Sequence, residues 1–173
     1  MKKYLISAVL LLFSLGVFGV RIAKGVTFKQ NVSGYLKRAA DANTIDMANA
    51  ELTKVINYLE ANNLTSGYTS VMWETPDEDI GFWYQNLKAS QQELETLNSD
   101  SALERTNVLM KLRETLLDTG EKTKVTIPKG LSVYPDNLLW GVLTLSAFIA
   151  MMASFIVLIP NEEKNNAEKV AGE

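Results

Sequence analysis

The stretch from Leu138 to Ile159 reads LLWGVLTLSAFIAMMASFIVLI and carries no charge. As an α-helix its 22 residues rise about 33 Å, against a bilayer hydrocarbon core of about 30 Å. Twelve of them are Leu, Ile, Val or Phe. At roughly −0.3 to −0.6 kcal/mol each near the bilayer centre, these favour insertion by about 4–7 kcal/mol. Trp140 lies near one end, where an indole suits the headgroup region, and Pro160 can close the helix. A soluble core helix rarely runs this far without a charge. The stretch therefore predicts a transmembrane helix over residues 138–160, followed by a polar tail over 161–173.

A second uncharged run, Tyr4 to Val20, follows Lys2 and Lys3. Its length reaches a full span only if Ile22 and Ala23 are included and Arg21 snorkels toward the interface. A basic start before an apolar core is also the pattern of a cleaved signal peptide. Cleavage wants small residues in an A-x-A-like arrangement, and Val17-Phe18-Gly19 is a poor match. Residues 1–24 are expected to stay as a first membrane helix, with a signal peptide as the alternative.

Charge concentrates between the two runs. Arg21 to Asp136 holds 13 Lys and Arg against 16 Asp and Glu. Such a mildly acidic domain lacks the basic face a nucleic acid would need. With no cysteine and no histidine, thiolate chemistry, disulfides and the commonest metal ligand and general base are excluded. Lysines and arginines flanking the spans are more numerous on the domain side, which taken literally places the domain in the cytoplasm. Long loops translocate largely regardless of charge, however, and Lys2-Lys3 before an apolar core is how exported chains begin. The expectation is a bacterial cytoplasmic membrane with the domain extracytoplasmic.

Residues 25–123 show helical periodicity. Phe28, Val32, Tyr35 and Ala39 are spaced 4-3-4, and Ile45, Ala48, Leu52, Val55 and Leu59 are spaced 3-4-3-4. Ile80, Trp83, Leu87, Ser90, Leu94 and Leu97 repeat the pattern. Such stripes pack helix on helix. Ala102 to Leu117 is apolar over a wider arc, which predicts the most enclosed helix. Asn43 or Thr44 can cap the second helix, and Asn62-Asn63 to Gly67 ends it. Pro76 to Asp79 opens the third, Asn98 to Ser101 separates the third from the fourth, and Gly120 ends the fourth. The fold class expected is all-α: two transmembrane helices flanking a small four-helix bundle-like domain. Residues 124–137 read as a short extended juxtamembrane connector.

The least ordinary stretch is Tyr68 to Tyr84, which gathers five aromatics and four acids. Tyr68, Trp73, Asp77, Glu78, Asp79, Phe82 and Tyr84 make a candidate interaction surface, where aromatic side chains anchor a partner. The alternative is structural: Ile80, Trp83 and Leu87 are core, and Trp73 and Tyr68 pin the loop onto the bundle. The acids lack the D-x-[DN]-x-[DN]-G spacing of a calcium loop. Gly120-Glu-Lys-Thr123 resembles the tail of a phosphate loop without its upstream glycine. Neither G-x-S-x-G nor H-E-x-x-H occurs. No catalytic, metal or cofactor site is expected, and the chain reads as non-enzymatic.

Within the second span, Ser146, Ala150 and Ser154 are four apart, the small-xxx-small arrangement that lets helices approach closely. Gly16 and Gly19 offer a matching flat spot on the first span. The expected partners are the lipid bilayer and either a protein or a second copy through the spans. Neither span holds an ionisable group in its apolar core, which argues against ion transport by this chain alone.

Span, helical bundle, span is similar in arrangement to the sensing half of bacterial chemoreceptors, without their cytoplasmic signalling coil. Tyr68 to Tyr84 together with Val108 to Leu117 also resembles an uncharacterised family of small bacterial two-span membrane proteins. These resemblances assign no function; the lack of a catalytic constellation beside the aromatic-acidic loop is what points to a protein-interaction or structural component that presents a helical domain at the membrane surface. The other reading is a ligand sensor or solute-binding subunit, with a pocket lined by Tyr35, Tyr58, Trp83 or Tyr84.

Overall fold

The structure, a computed structural model, describes residues 2–70, 72–118, 120, 124–132 and 137–158. The expected tail 161–173, the stop at Pro160, residues 121–123 and residues 133–136 of the connector lie outside the described residues. Among the described residues the chain is all-helical, with five helices and no strand. They are α1 (Lys2–Ala40), α2 (Ile45–Ala61), α3 (Ile80–Thr96), α4 (Ala102–Leu116) and α5 (Asn137–Leu158). Both α1 and α5 are long and apolar enough to cross a membrane. The chain divides into two compact units, Met1–Val20 with Val142–Glu173, and Arg21–Gly141.

In the first unit α1 and α5 run antiparallel. Ser14 Oγ donates to the Ala147 carbonyl at 2.7 Å, and Ser7 Oγ lies 2.7 Å from Ser154 Oγ. A seven-residue step on one helix matches a seven-residue step on the other, the repeat by which packed helices keep one face together. The buried face of α5 runs through Ala147, Ala150 and Ser154, and that of α1 through Ser7 and Ser14. Ser146 is exposed, and its hydroxyl turns back to the Val142 carbonyl of its own helix. Gly16 and Gly19 are exposed as well, with open space where a side chain would stand. The packing face is thus offset from the four-residue stripe, because a 3-4 alternation tracks a neighbouring helix where a strict step of four drifts around the cylinder.

The second unit is built around α2, which has six buried residues against two in α4. Val32, Leu36 and Ala39 of α1 enter the same core, with Leu52, Val55, Ile56 and Leu59 of α2. Ile80, Trp83, Leu87 and Leu94 of α3 and Leu112 and Leu116 of α4 complete it. Two features depart from the sequence periodicity. Lys29–Ser33 is a π-helical turn, with the Gly34 N–H bonded to the Lys29 carbonyl. That wider turn moves the inward position from Tyr35 to Leu36. In α3, Gln91 is buried while Ser90 is only partly covered. The Gln91 amide donates to Thr53 Oγ1 at 2.9 Å and accepts from Lys88 Nζ, so the burial is satisfied. The fourth helix is not the most enclosed: Leu103 and Met110 face outward. Its wide apolar arc exceeds the surface its neighbours offer.

The helix ends follow side-chain chemistry. Thr44, Asp79 and Ser101 each accept a backbone N–H from the first turn of α2, α3 and α4. At the end of α2, Asn63 takes a left-handed φ of 55°. Leu64 N–H then reaches the Leu59 carbonyl and Asn63 N–H the Glu60 carbonyl, a Schellman closure with Leu64 buried behind it. Among the described residues one charged group is nearly enclosed: Glu51, whose Oε1 accepts from Arg38 at 2.9 Å and Lys54 at 3.0 Å. Both cations also lie over the Tyr35 ring, which ties α1 to α2.

Candidate interaction site

The loop between α2 and α3 is closed at its base. Tyr68 pairs with Asp79 in an antiparallel bridge, Thr69 N–H donates to the Glu78 carbonyl, and Ile80 N–H donates to Gly67. Gly67, at φ +90°, supplies a turn that L side chains rarely adopt. With the base locked, the tip projects: Met72 is 75% exposed and Trp73 73%. Trp73 therefore does not pin the loop to the helices. Tyr68 is half-buried at the bridge.

After the tip, Pro76–Glu78 forms a single 3-10 turn, and Asp79 Oδ1 caps α3 by accepting from Phe82 N–H at 2.9 Å. The α3 register then sends consecutive aromatics in different directions. Phe82 is 64% exposed, whereas Trp83 is 8% exposed and belongs to the core. The Trp83 indole N–H donates to the Thr126 carbonyl at 2.9 Å. Tyr84 donates its hydroxyl to Glu60 Oε1 of α2. Burial, together with that carboxylate, pushes the Tyr84 phenol up to about 12.

The chain after α4 folds back antiparallel to its own end. Leu117 and Val125 form a bridge, and Thr126 N–H donates to the Leu116 carbonyl. This brings Ile127, buried Pro128 and Lys129 beside α3. A cleft of about 400 Å³ results, walled by Asp77, Asp79, Phe82, Trp83, Asp118 and Lys129 among others. Asp77 is exposed, and its carboxyl is held below the usual carboxylate range by the Thr75 hydroxyl, its own backbone amide and Lys129. Thr75 has one hydroxyl proton, however, and its 2.8 Å bond goes to Glu78 Oε2, so the two acids compete for it. Of the seven surface residues expected from sequence, Asp77, Asp79 and Phe82 share this cleft. Trp73 projects from the loop tip, and Tyr84 turns to α2. Asp118, Thr126, Pro128 and Lys129 were not legible as partners of α3, since they come from the far end of the unit.

A second, polar hollow of about 810 Å³ lies between the Asn43–Asp46 turn and the α3–α4 connection, with Arg105 on its wall. Tyr35, Tyr58 and Tyr84 line neither hollow. Among the described residues no three acidic side chains converge closely enough to hold a metal ion. Comparison with known proteins finds no matching family model, no matching curated protein and no matching solved structure.

Proposed function

We propose that this chain is an integral membrane protein, held by two antiparallel spans, whose helical domain binds another protein without chemistry of its own. The observation that carries the membrane half is exposure. Leu5, Val9, Leu12, Leu145, Ile149 and Ile156, among many others, lie bare along α1 and α5. A soluble protein would have to leave that apolar surface in water, whereas lipid accepts it. The hydroxyls of Ser7, Ser14 and Ser154, by contrast, turn inward between the two helices, where each finds an acceptor. The pairing supports retention of the first segment, since its removal would leave Ser154 without that partner.

The binding half rests on Met72, Trp73 and Phe82, large apolar side chains presented beside acids by a loop whose base is hydrogen-bonded shut. Pre-ordered aromatics lose little entropy on binding and are the usual anchors of an interface. The finer picture is a small four-helix arrangement, from the end of α1 through α4, on the extracytoplasmic side of a bacterial membrane.

Resistance to alkaline extraction and reporter fusions after Ser33, Asn98 and Asn161 test insertion and sidedness. A photo-reactive residue in place of Trp73, activated in intact membranes, should trap one protein reproducibly. Adducts to lipid or to the chain itself alone overturn the binding reading.

A further inference from the structure

We propose that the cleft between α3, the Pro76–Asp79 turn and the Thr126–Lys129 segment is a socket for a lysine or arginine side chain of a partner protein. The inference rests on the protein-binding reading above and names the chemistry of what binds. Its floor is apolar: Trp83, Leu87 and Pro128 are buried yet face the cleft. Its rim is acidic, with Asp77 and Asp79 on the turn before α3 and Asp118 on the segment after α4. Asp79 and Asp118 each commit Oδ1 to a backbone N–H, of Phe82 and Gly120. Among the described residues neither second oxygen meets a hydrogen-bond donor, so each can face a ligand.

A long cationic side chain fits both halves of this arrangement. Its methylenes cover the apolar floor and its charged head reaches the rim. The exposed Phe82 ring adds a face for the cation. A bare inorganic cation would use neither the floor nor the ring. Lys129 is the one cation among the described lining residues, and it acts on Asp77. Sharing the wall with the three acids, it opposes an incoming cation and tunes affinity downward.

The test uses the full chain in phosphatidylcholine nanodiscs, which carry no net charge to attract a basic peptide. The chain has three tryptophans, so three indole N–H signals report by NMR, and Trp83→Phe identifies the one in the cleft. The probes are acetyl-Gly-Arg-Gly-amide and its Lys, citrulline and norleucine counterparts. The Arg and Lys peptides should shift the Trp83 signal saturably and leave Trp140 unmoved. Citrulline and norleucine peptides should bind at least about fivefold more weakly, the scale of an exposed ion pair. Asp77→Asn with Asp118→Asn should weaken Arg-peptide binding by a similar factor, and Lys129→Ala should strengthen it. No saturable shift, equal binding of the norleucine peptide, or indifference to the double substitution each overturns the socket. A socket that binds peptide while crosslinking at Trp73 traps no protein would sink the docking reading alone. A trapped protein with no peptide binding would sink the socket alone.

Discussion

Ser7 and Ser154 face each other across the α1–α5 pair, each hydroxyl within reach of the other's carbonyl. Ser7 Oγ lies 3.1 Å from Ser154 O, Ser154 Oγ 3.0 Å from Ser7 O, and the two hydroxyl oxygens are 2.7 Å apart. Two protons serve three short contacts, so at any moment one of the three goes without a proton while each hydroxyl still has an acceptor in reach. In hydrocarbon no water would compensate either serine.

The pair predicts a covalent test. Because the chain has no cysteine, Ser7→Cys with Ser154→Cys gives a clean background. Oxidation in membranes should join the two within one chain, detected by loss of thiol labelling and by mass. Loss of residues 1–20 from the mature protein, or bonds only between chains, would contradict the pairing. Ser7→Ala should cost about 0.6 kcal/mol, and at most about 1.7, the range for hydrogen bonds between membrane helices.

The offset of the α5 face predicts an asymmetry between neighbours. Ala147→Leu places a large side chain against the Ser14 hydroxyl and should weaken the crosslink or the thermal stability of the pair. Ser146→Leu points outward and should leave both nearly unchanged. Equal effects of the two substitutions would refute the register.

Tyr84 predicts a pH response. The folded chain holds the phenol proton up to about 12, above the ordinary tyrosine value of about 10. Its contribution to stability is therefore complete below about pH 10 and is lost as pH rises through about 12. Ultraviolet titration of wild type against Tyr84→Phe should assign the late-ionising phenol to this residue. Glu60→Gln should move it partway back, since burial is the larger cause and stays.

Trp83 predicts a cost confined to one bond. Trp83→Phe keeps most of the core volume but removes the N–H that meets Thr126, a loss of about 1–2 kcal/mol in chemical denaturation. Thr126 and the residues after it should become more open to hydrogen exchange. An unchanged stability would mean that the indole contributes only packing.

Asn63 separates backbone from side-chain effects. At φ 55° it occupies a conformation that Gly and Asn tolerate. Asn63→Gly should change stability by less than about 0.5 kcal/mol, whereas Asn63→Val should cost about 1–2 kcal/mol. Both are measured by thermal unfolding of the full chain in detergent.

The sequence by itself determined what depends on local chemistry. Uncharged length marked α1 and α5. Helical spacing located α2 and α3, Thr44 was one of two caps offered for α2, and the runs Pro76–Asp79 and Asn98–Ser101 bracketed the next two helix starts, because a cap bonds only to the next few residues; that Asp79 and Ser101 are the capping residues came from the structure. It also marked Tyr68 to Tyr84 as unusual. The tertiary structure decided which neighbours each face meets. A π turn at Lys29–Ser33 exchanged Tyr35 for Leu36, and a 3-4 seam chose Ala147 over Ser146. The fold-back at Leu117 carried Thr126 to Trp83 and Lys129 to the rim of the acidic cleft. These outcomes depend on residues tens of positions apart settling one another's orientation, and no local pattern along the chain encodes such a distance. The apolar run Leu138 to Ile159 was plain in the sequence, but which of its sides turns toward Ser7 and Ser14 was a property of the pair.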